Sequence, residues 1–205
     1  MRDVELIGNA LCLDFANTVN ARPVADRDWL RTSAEAVTWA VAVGRPIEDE
    51  TGLDATLPAA RELREAVFRV FQPLAHGRRP PRPDLDTVAA TYADGVAHGR
   101  LEGAGGVAHG RQDAAEGFVH GRLEEAGGGF RFAWTVPRTA RSLLWEVAAA
   151  AVELLTYGPL DRLGECPTCC WLFLDTSKNR RRRWCSMATC GSRDKSRRYY
   201  AGHSS

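Results

Sequence analysis

Apolar residues along this chain recur mostly at helical spacing. Within residues 58–77, Leu63, Val67, Val70, Phe71 and Leu74 fall at i, i+4, i+7, i+8 and i+11, which predicts a helix with Pro58 in its first turn. Residues 139–158 predict a second long helix, with Leu143, Leu144, Val147, Ala151, Leu154 and Leu155 toward a core and Gly158-Pro159 as its stop. Residues 32–44 predict a third. There Thr32 and Glu35 have capping-box spacing, and Val37, Ala40 and Val41 make the buried face. Leu85, Val88, Ala89 and Tyr92 predict another helix from near Asp84. Two stretches alternate instead. Leu11, Leu13 and Phe15 against Cys12, Asp14 and Ala16 predict a β element within residues 4–19, and Phe130, Phe132 and Trp134 predict a short strand. The expected fold class is α+β, with a helix-dominated N-terminal domain over 1–160 and a small C-terminal module over 161–205.

One stretch follows neither period. Val96-Ala-His98-Gly-Arg100 recurs as Val107-Ala-His109-Gly-Arg111 and, with changes, as Phe118-Val-His120-Gly-Arg122, a period of eleven residues. His76-Gly77-Arg78 lies two periods upstream. Units this short do not build a solenoid, whose repeats run from about 20 residues upward. Glycine inside each unit also gives the histidines no convergent geometry for a metal. A duplicated insertion, as an extended hairpin or a mobile segment over about 96–128, accounts for the pattern better.

Charge sharpens the division at residue 160. The 205 residues carry 27 Lys+Arg and 26 Asp+Glu, a net charge of +1. Residues 161–205 hold 10 basic and 4 acidic side chains, whereas 1–160 hold 17 and 22. A basic module attached to an acidic domain points to a polyanionic partner for the module. Of the basic residues 25 are arginine, a chain-wide bias, so the choice of arginine says nothing by itself about phosphate recognition.

The basic module also holds paired cysteines. Cys166-Pro-Thr-Cys169 and Cys185-Ser-Met-Ala-Thr-Cys190 are two short pairs separated by fifteen residues, the arrangement of a tetrahedral Zn²⁺ site. Disulfides are the alternative. No cationic segment runs into an apolar one at the N-terminus, and the longest apolar run, 147–155, contains Glu153 and is about half the ~20 residues of a membrane span. A cytoplasmic, reducing location follows as the expectation, and it favours metal ligands over cross-links. Cys12 reads as a buried small hydrophobe. Cys170 could stand in for Cys169, although two intervening residues make the tighter knuckle. Four cysteine ligands leave no open position for a water, so one structural zinc ion rather than a catalytic one is expected.

Within the module, Trp171-Leu-Phe-Leu174 predicts a strand, 175–179 a turn, 180–184 a return strand, and the residues after Gly191 a short helix. Knuckle, hairpin and helix are the order of a treble-clef-like finger. The N-terminal domain, which has no ligand cluster, is expected to fold without metal. Candidate nucleic-acid contacts are Lys178, Arg180, Arg181, Arg182 and Arg183 on the hairpin and Arg193, Lys195, Arg197 and Arg198 on the helix, with Arg193 and Arg197 sharing a face. Asp14, Asn17 and Arg22 lie close in sequence and could line a polar pocket, or they could satisfy strand ends and turns.

Trp171-Leu-Phe-Leu-Asp175-Thr-Ser177-Lys-Asn179, Arg183-Trp184-Cys185-Ser-Met187 and Cys190-Gly191-Ser192-Arg193-Asp-Lys195 together resemble the CGNR zinc finger. Gly8-Asn9-Ala-Leu-Cys-Leu13-Asp14-Phe15-Ala-Asn17-Thr18-Val19 resembles the start of the ABATE domain usually found with it. The resemblance implies a bacterial stress-induced transcription regulator, with DNA binding by the finger and an unidentified ligand-sensing role for the ABATE domain. Ser192 stands where the naming motif has Asn, which puts any base contact by that Asn in question. The eleven-residue repeats are extra.

The reading is a zinc-containing DNA-binding transcription regulator and not an enzyme. Its N-terminal domain would sense a small molecule or mediate assembly, for example as a homodimer. A zinc-containing RNA- or ribosome-associated protein is the alternative. Histidine is confined to the repeats and the C-terminus, and no nucleophile–base motif such as GxSxG is present.

Overall fold

The computed structural model describes residues 3–20, 22, 27–103, 130–134 and 137–202, with side chains at 130, 131 and from 198 onward left aside. Its architecture is α+β with helices dominant. In chain order the elements are α1 (Leu11–Ala16), β1 (Val19–Asn20), β2 (Arg27–Asp28), α2 (Ser33–Ala42), α3 (Leu53–Leu74), α4 (Arg82–Ala97), β3 (Gly99–Gly103), β4 (Phe130–Trp134), α5 (Ala140–Tyr157), β5 (Leu163–Glu165), β6 (Leu172–Leu174) and α6 (Ser192–Gly202). The strands form three separate antiparallel pairs, β1–β2, β3–β4 and β5–β6.

Local chemistry explains the helix ends. Thr32 accepts a hydrogen bond from the Glu35 amide at the start of α2. Thr139 and Ser142 close a reciprocal capping box at the start of α5, and Gly158 follows its last turn. Two expectations shift. Helix α3 begins at Leu53 rather than Pro58, because Leu53, Leu57 and Ala60 carry its buried face back by more than a turn. On α2 the buried residues are Ala36, Trp39 and Ala40, while Val41 is 58% exposed, so the apolar stripe is rotated toward Trp39.

The larger correction concerns the N-terminus. Residues 11–16 form a helix, not a strand. Cys12, Leu13, Phe15 and Ala16 are all buried, a 1-2-4-5 pattern that fits one helical face, and the left-handed Asn9 (φ 59°) breaks the extended chain before it. Alternation over six residues is too short to separate the two periods. The helix sits centrally, packed between α3 and α5.

The first repeat copy has a defined place. Val96 and Ala97 end α4, and Gly99 opens β3, which pairs with β4 from Gly99↔Trp134 to Gly103↔Phe130. The second and third copies lie outside the described residues.

No break in packing occurs near residue 160. Leu163, Leu172 and Leu174 belong to the same apolar core as α1, α3 and α5. Strand β6 pairs with β5 along one edge. Along the other, the Asn17 carboxamide donates to the Leu172 carbonyl (2.8 Å) and accepts from its amide (2.9 Å), imitating a neighbouring strand. Next to it the Leu174 amide donates to Gly8 O (2.9 Å), and Asn9 Nδ2 donates to Leu174 O (2.8 Å).

Removing the Asn17 carboxamide leaves a buried amide and a buried carbonyl unpaired, at about 1–3 kcal/mol each. Asn17→Ala is therefore expected to lower the unfolding free energy by about 2–6 kcal/mol in a denaturant titration. A loss below about 0.5 kcal/mol would show that Asn17 does not hold β6.

Candidate metal centre

The β5–β6 hairpin carries the first cysteine pair at its tip. Strand β5 runs into Cys166, the Cys170 amide donates to Cys166 O (2.9 Å), and the Cys166 amide donates to Trp171 O (2.8 Å). The chain reverses with Cys170 in the left-handed region (φ 63°) and leaves as β6. Strand β6 thus pairs with the segment before the knuckle. The expected partner, 180–184, forms no strand. That segment is shaped instead around Asp175, whose carboxylate accepts from the Ser177 amide (2.8 Å) and the Arg182 amide (2.9 Å). The second cysteine pair follows. Cys185 ends this loop, and Cys190 lies in a π-helical turn, Met187–Gly191, that leads directly into α6.

All four cysteines are buried, and their Sγ atoms lie within 4.8 Å of one another. The Cys169 and Cys185 sulfurs are 3.4 Å apart. Tetrahedral zinc with Zn–S bonds of about 2.3 Å requires S···S edges of about 3.8 Å, so small shifts around an ion satisfy the set, the 3.4 Å pair widening and the longer separations closing. The thiols make competing demands on one another. Hydrogen bonds from Cys169 and Cys185 hold the Cys166 thiol far below its ordinary value, and those same bonds raise the Cys169 and Cys185 thiols. A divalent cation at the centre removes the conflict by favouring the thiolate at every ligand. Cys170 lies outside the cluster. Its thiol is raised by burial and by the neighbouring Glu165 carboxylate. Cys12 lies in the main core, and burial raises its thiol as well.

A second layer orients these ligands. Trp171, Phe173, Trp184 and Ile7 pack around the cysteines, and the Trp171 indole donates to Val19 O (2.8 Å). Arg182 is part of this layer rather than of the basic surface. Its guanidinium donates to Ile7 O (3.0 Å), Cys185 O (2.6 Å) and Trp184 O (3.2 Å) and lies 4.3 Å above the Phe173 ring.

The other basic residues sort differently. Lys178, Arg180, Arg181, Arg183, Arg193, Lys195 and Arg197 are exposed. Arg180 pairs with Asp161, and the Arg183 guanidinium lies 4.8 Å above the Trp184 ring. Arg193 and Arg197 are one turn apart on α6, and Arg198 is on the same helix, its side chain outside the described set. Ser192 opens α6 with its hydroxyl donating to Met187 O (3.1 Å).

Asp14, Asn17 and Arg22 each take separate partners instead of lining one pocket. Asn17 grips β6. Arg22 donates to Ala16 O (2.6 Å), pairs with Glu65 (3.3 Å) and lies 3.6 Å above the Phe68 ring. The Asp14 carboxylate accepts from the Gly8 amide (2.8 Å). A small cavity of about 20 Å³ beneath α2 is lined by Phe15, Trp39, Leu53 and Leu143 among other apolar side chains, and none of the three faces it. Sequence reasoning missed Arg182 and Asn17 as supports of the metal site, since their partners lie 175 and 155 residues away.

A family model described as "Putative stress-induced transcription regulator", ABATE, matches residues 9–158. The chain belongs to the ABATE family. The CGNR zinc finger model matches residues 162–203, a span that includes all four clustered cysteines. No curated protein matches the chain. The CGNR finger of this ABATE protein has a single structural zinc site at Cys166, Cys169, Cys185 and Cys190. Neither family is an enzyme family, and among the described residues no helix is long and apolar enough to cross a membrane.

One zinc per chain is expected in metal analysis, retained in Cys12→Ser and Cys170→Ser and lost in Cys166→Ser, Cys169→Ser, Cys185→Ser or Cys190→Ser. Because β5 and β6 are part of the main core, chelation is also expected to lower the midpoint of helix unfolding, not only to melt the finger. Stoichiometric zinc in Cys190→Ser would overturn the ligand set.

Burial pushes the Asp14 carboxyl up from 3.8 to about 6, against hydrogen bonds from Gly8 and Ile7 and the nearby Arg182. The folded protein therefore binds a proton that the unfolded chain has already released between about pH 4 and 6. Asp14 favours folding most below pH 4, and that contribution is lost as pH rises through 6. Asp14→Asn is expected to be more stable than wild type at pH 7.5, by up to about 3 kcal/mol. The difference should shrink as pH falls to 5, and a pH-independent difference would rule out the titration of Asp14.

Proposed function

We propose that this ABATE protein is a zinc-containing DNA-binding transcription regulator in which residues 161–205 bind duplex DNA. The N-terminal residues 1–160 would sense a signal, such as a small-molecule effector, or mediate assembly, for example as a homodimer. The observation that carries the reading is a basic surface built on the zinc site. Lys178, Arg180, Arg181 and Arg183 are exposed on the loop between ligands, Arg193, Lys195 and Arg197 are exposed on the helix after them, and Asp194 is the only acidic residue between 178 and 198. Zinc fixes where this loop and helix stand relative to each other, so their charges present one fixed pattern to a polyanion.

Arg193 and Arg197, one turn apart at the start of α6, are the residues suited to reach base edges. The loop arginines suit phosphates, which position the protein without reading sequence. A signal in the N-terminal domain has a short route to the finger through Asn17, Asn9 and Gly8 to β6. Reduced thiols at the zinc site are consistent with a reducing compartment such as the cytoplasm.

If about five of the basic residues reach phosphates, log K for duplex DNA should fall with log[salt] at a slope near −4.5. Arg193→Ala or Arg197→Ala is expected to weaken binding by about 1–3 kcal/mol and to relax sequence preference, while Arg181→Ala weakens all sequences alike. Arg182→Ala should reduce zinc retention before it changes the salt slope. Salt-insensitive binding, unchanged when Arg181, Arg183, Arg193 and Arg197 are all replaced, would remove the electrostatic basis. A clear preference for structured RNA would assign the finger to RNA instead.

A further inference from the structure

Between the ligands Cys185 and Cys190 the chain reads Ser186-Met-Ala-Thr189. Among the described side chains from 161 onward, Met187 is the one large apolar group that is exposed, at 53%. A single exposed apolar side chain is ordinary on a protein surface. Met187 differs in how it is held and in what borders it. Zinc ligands stand on either side of it, two residues before and three after. The Ser186 hydroxyl caps the turn by accepting from the Thr189 amide (3.4 Å), and the Met187 carbonyl accepts from the Ser192 hydroxyl (3.1 Å). The thioether lies across Gly191, where an added Cβ would come within 2.9 Å of Sδ and 3.2 Å of Cε. Glycine at 191 therefore lets the side chain lie flat where the turn enters α6.

Cations border this spot on two sides. The same point above Gly191 is 3.6 Å from Trp184 Cδ2, so Met187 and the Trp184 ring meet over one glycine. The exposed Arg183 guanidinium is held 4.8 Å above that ring. Met187, Gly191 and Lys195 follow one another at four-residue steps, which puts the exposed Lys195 one turn past Gly191 on the same side of the helix. A flat apolar surface about one side chain wide thus lies between Arg183 and Lys195.

One side chain offers too little apolar area to hold a lipid surface, which binds in proportion to the area buried. Duplex DNA supplies both chemistries at this scale: phosphates for the cations and, in the major groove, the C5-methyl group of thymine for the thioether. A wedge that unstacks bases has to protrude, and the Met187 side chain lies down on Gly191 instead. We propose that Met187 is a base-reading residue that packs on a thymine C5-methyl in the major groove, with Arg183 and Lys195 on the flanking phosphates. The inference rests on the reading of the finger as a DNA-binding module. It adds a preference for thymine that charge alone does not supply.

The test uses the full-length, zinc-loaded protein and two alternating duplexes, poly(dA-dT) and poly(dA-dU), which differ only in the thymine methyl. Burying that methyl against the thioether is expected to favour poly(dA-dT) by about three- to fivefold. Met187→Ala and Met187→Gln should each lower the ratio of the two affinities by that factor, with salt slope and zinc content unchanged, whereas Met187→Leu should keep it. Comparing the ratios of wild type and variant cancels any difference in duplex shape, because both proteins meet the same two duplexes. Met187→Gln keeps the length of the side chain and decides the matter if the alanine variant loses zinc. The same ratio in wild type and in the glutamine variant, with the salt slope intact, overturns the role of Met187 and leaves DNA binding standing. Salt-insensitive binding, or none, to both duplexes by wild type overturns the reading of the finger itself and the proposal with it.

Discussion

A three-residue strand with no free edge or face is the constraint on which this structure depends. Leu172 and Leu174 project into the main core, while Phe173, between them, packs against the zinc ligands. One edge of the strand pairs with β5, and the other is occupied by the Asn17 carboxamide and the backbone of Gly8. A finger of some forty residues cannot bury enough apolar surface to fold alone. Here it gains burial by lending β6 to the larger domain, and zinc fixes what remains outside that core. The opening segment of the ABATE domain, Gly8-Asn9 through Asn17, is thereby occupied in holding the finger.

The arginines sort by the same geometry. Four occur in a row at 180–183, and charge alone gives them one role. The loop turns Arg182 inward, where its fork of donors meets carbonyls of Ile7, Trp184 and Cys185, and leaves Arg181 and Arg183 outward. An inward arginine is tolerated because carbonyls and the Phe173 ring replace the water it loses. The inward residue then joins the N-terminal segment to the backbone of a metal ligand, so the metal site and the domain contact share one side chain. Asp14 stands at the same junction, its carboxylate held by Gly8 beside Arg182.

Much of this was legible in the sequence, and for local reasons. Helix α2 announces itself by Thr32 and its partner Glu35 three residues on, an interaction complete within one turn, and α5 by its apolar stripe and its Gly158-Pro159 stop. Cysteine spacing sufficed for the zinc site because each pair closes its own edge of the tetrahedron and the connecting loop only has to reach. The family resemblance lay in those same short motifs.

Tertiary structure decided what local pattern left equivalent. Six alternating residues, 11–16, are compatible with a strand or a helix, and only the space between α3 and α5 selects the helix. Strand β6 could pair with the residues before the knuckle or with those after it, and the β5 side wins because Asp175 draws the later segment into a turn. Asn17 and Arg182 look like surface polar residues until their partners arrive from 155 and 175 positions away. The sequence by itself determined the capped helices, the metal and the sign of the surface charge, each set by neighbours within a few residues. Which edge, face or carbonyl each remaining side chain meets was decided only by the packed fold, since those partners come together only when the core closes.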